Sequence, residues 1–219
     1  MLAHNDSWLL PKILPVLRPH FDKFVVGYHE SADNTLEILR RFDAIISLVP
    51  WSYDWGVARN AVIRTAEEAG CSQMMMIDSD ECMLPSHLES LRNIPVQNAR
   101  LFPRIEFVDD FQHYDPTLYP DYQARGFPLN QGFYYAGAIH EQLCRYGLVC
   151  SQAGDFSRSF LPLFHFGKCK PKREVALKYM NYDRIAHKLE PLMELPEDYV
   201  PPESWAPGNK KQFEGKMPW

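Results

Sequence analysis

The chain has 219 residues, 46% of them hydrophobic, and a net charge of −5, enough apolar material for one buried core and too little positive charge for the broad basic surface of a nucleic-acid binder. No apolar run approaches the roughly 20 residues of a membrane-spanning helix. Nor does the start read as a secretory signal, because His4-Asn5-Asp6 interrupts it before any h-region. Five cysteines, odd in number and without a CxxC pair, argue against a disulfide framework or structural zinc, so a cytoplasmic protein is expected, with peripheral association at a membrane left open.

Met1-Leu2-Ala3 reads as a strand stub, after which Trp8, Leu9, Ile13, Leu14 and Leu17 recur at helical spacing with Ser7 as the cap. Residues 23–27 read as a buried strand, 30–35 as a polar turn, 36–42 as a helix and 44–48 as a third strand. A loop over 51–54 precedes a helix whose buried face is Val57, Ala58, Ala61, Val62 and Ala66, and residues 73–77 form a fourth strand. Strands alternating with helices imply βαβ units in a mostly parallel sheet, although neither GxGxxG nor GxxxxGK[ST] is present. From Asn98 the pattern changes. Residues 100–108 alternate as an antiparallel strand, 109–122 form a long aromatic and acidic loop, and 134–140 and 160–164 are further strands. Residues 173–189 predict an amphipathic helix with basic residues in and before its first turn, a placement that opposes the helix dipole unless an anion lies nearby. The proline-rich remainder, 190–219, has no clear element; Trp205, Phe213 and Trp219 favour a tail that wraps the domain.

The sharpest chemical signal is Met74-Met75-Met76-Ile77-Asp78-Ser79-Asp80-Glu81. A strand-length apolar run that empties into carboxylates marks the carboxyl edge of an open α/β sheet, where ligands bind. In an extended chain Asp78 and Asp80 share one face while Glu81 points elsewhere. Two hard oxygen ligands suit Mg²⁺ or Mn²⁺, with a substrate diphosphate completing the shell.

Several further patches accompany this one. Asn5-Asp6 follows the first strand and Ser31-Ala32-Asp33-Asn34-Thr35 the second; Trp51-Ser52-Tyr53-Asp54-Trp55-Gly56-Val57-Ala58-Arg59-Asn60 comes next. After Asp78-Ser79-Asp80-Glu81 come Tyr122-Gln123-Ala124-Arg125, Gly137-Ala138-Ile139-His140-Glu141-Gln142-Leu143 and His165-Phe166-Gly167. In this order, over about residues 1–185, the chain resembles family 2 glycosyltransferases with the GT-A fold, in particular their small bacterial and phage-like branch.

The resemblance implies a Rossmann-like, mixed but mostly parallel sheet flanked by helices. It implies one domain over 1–189, divided into a nucleotide-sugar half (1–97) and an acceptor half (98–189), with 190–219 as a tail. It further implies a metal-dependent hexosyltransferase that moves sugar from a nucleotide-sugar donor, commonly UDP-linked, to a glycan or other hydroxyl acceptor with inversion, with Mn²⁺ or Mg²⁺ on the diphosphate. Asp80 and His165 match the metal positions, and Asp78 the position that contacts ribose or metal. Asn5, Asp33, Arg59 and Asn60 match positions around the nucleotide, and Glu141 is the expected base. Lys168, close after His165, is placed at the diphosphate with Lys170, Lys172 and Arg173. Where many relatives carry an aspartate after the second strand, this chain has Gly27-Tyr28-His29-Glu30. Two other classes stand beside this expectation: a haloacid-dehalogenase-like phosphatase with Asp78 as nucleophile, and a non-catalytic carbohydrate- or nucleotide-binding protein.

Overall fold

The computed structural model describes residues 1–50, 52–92 and 94–219; Trp51 and Asn93, which fall in the predicted loop and at the end of the first βα part, lie outside the described residues. The elements in chain order are β1 (Leu2–Ala3), α1 (Leu10–Leu17), β2 (Val25–Tyr28), α2 (Thr35–Arg41), β3 (Ile45–Leu48), α3 (Trp55–Glu68), β4 (Gln73–Met75), β5 (Glu81–Cys82) and α4 (Pro85–Leu91). They continue with β6 (Ala99–Val108), β7 (His113–Tyr114), β8 (Asp121–Pro128), β9 (Phe133–Ala136), β10 (Gln142–Arg145), β11 (Leu148–Val149), α5 (Cys150–Ala153), β12 (Phe156–Arg158), β13 (Leu163–Lys168), α6 (Lys172–Ala186) and β14 (Lys211–Gln212). The fold is the mixed α/β arrangement expected from the sequence, but the mostly parallel sheet expected is not what forms: among the described strands, antiparallel pairings outnumber parallel ones because the second half pairs back on itself. Among the described residues no helix is long and apolar enough to cross a membrane.

β1, β2 and β3 form a parallel sheet with β2 in the middle. Helix α1 buries Ile13, Leu14 and Leu17 of the expected stripe together with Leu10, which was not in it, while Leu9 is buried and Trp8 half-buried just ahead of the helix. Ser7 does not cap it. The helix begins later, at Leu10, with a proline in its first turn; Asp6 O accepts the Leu9 and Leu10 N–H groups at 3.1 Å, and Ser7 N–H donates instead to Asp33. Helix α3 is capped by Asp54, whose carboxylate accepts the Val57 N–H at 2.8 Å. It packs so tightly on β2 that a Cβ at Gly27 would stand 2.6 Å from Val62 Cγ2.

The second half is organised by β6, which pairs antiparallel with β8 and β7 and parallel with β12 and β13. β4 joins this sheet through an antiparallel pairing with β8, not as a further parallel strand after β3. β9, β10 and β11 form a separate antiparallel sheet. Two of the predicted strands shift: 134–140 shortens to β9, and 160–164 moves on to β13. The tail does wrap. Phe213 packs edge-on against Phe107, Tyr114 and Phe164, Trp219 edge-on against Phe111 and tilted against Phe166, and Trp205 tilted against Tyr179. The guanidinium of Arg173 donates to the carbonyls of Tyr199, Leu195 and Pro196, so the tail offsets its unfavourable place at the start of α6.

Candidate active site

The loops after β1 and β2 are laced together. Asn5, in the left-handed region with φ 50°, donates its N–H to Ser31 Oγ at 3.1 Å, and its side-chain oxygen accepts the Ala32 N–H at 2.8 Å. Asp33 accepts the N–H groups of Thr35 and Ser7, both at 3.0 Å. Burial pushes its carboxyl up, but these hydrogen bonds outweigh it and hold the group at about 2. Asp6 is buried and accepts from the Ser79 hydroxyl at 2.6 Å and the Lys170 ammonium at 2.8 Å, tying the first loop to the Asp78–Asp80 turn and to the end of β13. Its joining role has no signature in the sequence beyond an acid that follows a strand.

The extended geometry expected for Asp78-Ser79-Asp80-Glu81 is replaced by a turn, closed by the Glu81 N–H on Asp78 O at 3.0 Å. The turn sets Asp78 beside Glu81 and sends Asp80 elsewhere. Arg59 grips Asp78 in a fork, Nη1 to Oδ1 at 2.6 Å and Nη2 to Oδ2 at 2.8 Å, while its Nε donates to Glu141 Oε1 at 2.5 Å. Arg125 reaches Asp78 at 2.9 Å and Glu81 at 2.7 and 2.9 Å. Burial raises the Asp78 carboxyl, but the guanidinium groups outweigh it and hold it well below the usual range. Glu81 and Arg125, which were not among the expected site residues, thus complete a five-residue ionic network with Asp78, Arg59 and Glu141.

Asp80 turns towards β13, where β5 pairs with it in the register Glu81↔His165 and Phe166 N–H donates to Asp80 O at 2.8 Å. His165 Nδ1 lies 2.8 Å from Glu106 Oε2, and Nε2 lies 3.5 Å from Asp80 Oδ1. Burial lowers the imidazole, but the two carboxylates outweigh it and raise it to about 9. The other oxygen of Asp80 faces Lys178 Nζ of α6 at 3.6 Å. Lys168 Nζ stands 3.9 Å from Glu106 Oε1, an oxygen that is buried without a hydrogen bond.

Among the described residues no group of three or more His, Cys, Asp and Glu side chains is arranged to hold a metal ion. The Asp80–His165 pair nevertheless fits an ion whose other ligands come from a substrate. Two donor atoms each about 2.1 Å from one ion lie roughly 3–3.5 Å apart at octahedral to tetrahedral angles, and Nε2 and Oδ1 are 3.5 Å apart, too far for a good hydrogen bond. Glu106 on Nδ1 orients the ring with Nε2 inward, as outer carboxylates do for metal-binding histidines. Gly167 keeps the space free, for a Cβ there would meet His165 Nε2 at 2.8 Å and Asp80 Oδ2 at 2.9 Å.

Of the expected residues, Arg59, Asp78 and Glu141 come together in the ionic network, Asp80 and His165 form a pair beside it, and Asn5 and Asp33 shape the neighbouring loops. Asn60 clamps β9 to α3: its amide nitrogen donates to Tyr135 O and its amide oxygen accepts the Tyr135 N–H, both at 2.8 Å. A cavity of about 180 Å³ lies against the network, lined by Asp121, Tyr122, Arg125, Tyr135, Glu141 and Gln142 among others. A larger cavity, about 360 Å³, opens elsewhere, beside Lys23, Phe24 and Gln73. No protein-family model matches the chain, and no curated protein does. Among solved structures it is similar to S. aureus TarS, with a TM-score of 0.46 and 13% identity, over 84% of this chain and 38% of that one. The chain thus spans well under half of the TarS chain it is compared with.

Proposed function

We propose that the protein transfers a glycosyl group from a nucleoside diphosphate sugar, UDP-linked in the first instance, to a hydroxyl acceptor, inverting the anomeric centre and using Mn²⁺ or Mg²⁺ held by Asp80 and His165. The single observation that carries this reading is the cradle at Gly167, where Asp80 and a carboxylate-oriented His165 converge beside the Arg59–Asp78–Arg125 network. Held by Asp80 and His165, a divalent cation would supply charge neutralisation on the departing diphosphate. Asn5 and Asp33, in the loops after β1 and β2, border the nucleotide. Lys168 lends positive charge near the diphosphate. Glu141, beside the 180 Å³ cavity that would take the acceptor, accepts the hydroxyl proton as the acceptor oxygen bonds to the anomeric carbon and the sugar–phosphate bond breaks, its electron pair leaving with the diphosphate. Arg59 fixes that carboxylate through Oε1.

A phosphatase with Asp78 as nucleophile is disfavoured, because both its oxygens already accept from guanidinium groups. The test is thermal stability with UDP-, GDP-, dTDP- and CMP-sugars, with and without Mn²⁺, followed by donor turnover in Asp80→Ala and His165→Ala. A donor at about 100 times its dissociation constant adds roughly 2.7 kcal/mol, and both variants are expected to lose metal-dependent turnover. Full turnover in both would reject the site, and binding without turnover in the wild type would favour a non-catalytic binding protein.

A further inference from the structure

Helix α6 places a positive charge of the protein's own on the carboxylate proposed to bind the metal. Lys178 Nζ lies 3.6 Å from Asp80 Oδ2, the oxygen that a Cβ at Gly167 would crowd, while Oδ1 faces His165. The ammonium also lies 5.9 Å from the Tyr182 ring centroid, and Tyr182 is braced edge-on by Trp55 and His140. The Lys178 side chain is 38% exposed, so its flexible stem has a way out to solvent.

We propose that Lys178 is an internal cation that occupies Asp80 in the ligand-free protein and competes with the divalent ion for it; this rests on the cation-assisted reading above. An ammonium and a divalent ion cannot share one carboxylate at such range without strong repulsion. Loading the ion therefore displaces Lys178, and a donor diphosphate gives the displaced ammonium anionic oxygens to pair with. Ion binding and donor binding then favour each other, each raising the other's affinity by the same factor.

The test is Mn²⁺ titration of the ligand-free protein, read from the paramagnetic resonance signal of free Mn²⁺, in the wild type, Lys178→Met and Lys178→Arg. The methionine variant is expected to bind Mn²⁺ about tenfold tighter or more, with the arginine variant close to the wild type. Damage to the fold would weaken binding, so the expected direction separates the two causes; Lys178→Gln repeats the measurement if methionine lowers the melting temperature. Equal or weaker binding in the neutral variants, or equal tightening by arginine, overturns the proposal. If neither the wild type nor any neutral variant binds Mn²⁺, even with inorganic pyrophosphate added, the cation-assisted reading itself fails.

Discussion

Gly167 and Arg59 show how single positions control the site. At Gly167 the missing side chain leaves the gap between Asp80 and His165 open, and Glu106 prevents the ring from moving aside. Gly167→Ala is expected to lower Mn²⁺ affinity by about 10–100-fold, the range found when the surroundings of a metal ligand are disturbed, with the folded circular dichroism spectrum retained. An unchanged affinity would mean that the gap serves packing alone. Arg59 is 4% exposed and holds two acids. Arg59→Met leaves Glu141 without that partner and Asp78 with only Arg125, and removing one partner of a buried ion pair costs about 3–5 kcal/mol. The urea midpoint should fall accordingly. A midpoint near the wild type would show that water screens these charges.

At the scale of elements, the site depends on β13 lying between β6 and β5, since β6 brings Glu106 to His165 and β5 follows the turn that carries Asp80. The tail bears on β6 and β13. Phe213 sits against Phe107 of β6 and Phe164 of β13, with its N–H donating to Gln112 O at 2.7 Å. Phe213→Ala is expected to cost roughly 2–3 kcal/mol, at or below the bottom of the range of about 3–5 kcal/mol for a fully buried ring because Phe213 is only half-buried, as a shift of the single unfolding midpoint. A separate early transition would instead mark the tail as an independent appendage. Arg173 illustrates what helix-dipole reasoning from local sequence does not reach: the partners that compensate its charge are carbonyls more than 20 positions away in the chain.

For the whole molecule, the loops after β1 and β2 form one edge of the fold, and Asp33 joins them. Its folded carboxyl titrates at about 2, below the ordinary value of 3.8. Its contribution to stability is therefore fully present above about pH 4 and is lost as pH falls through about 2. The stability difference between wild type and Asp33→Asn, from urea unfolding, should be constant from pH 7 to 5 and shrink between pH 4 and 2. A difference that persists at pH 2 would assign the effect to something other than the charge.

By itself, the sequence determined the alternation of strands and helices in the first half, the buried stripe of α1 and the presence of a carboxylate edge after β4, because hydrophobic period and local polarity are properties of neighbouring residues. It also placed the tail's aromatic anchors on the fold. It missed the antiparallel pairing of β4 with β8 and the late start of β13, which depend on partners far along the chain. Within Asp78-Ser79-Asp80-Glu81, residue spacing put Asp78 with Asp80, whereas the turn put Asp78 with Glu81 and the two arginines. Only the tertiary structure decided that, and only it set Lys178 against Asp80, because charges separated by dozens of residues meet where packing brings their strands and helices together.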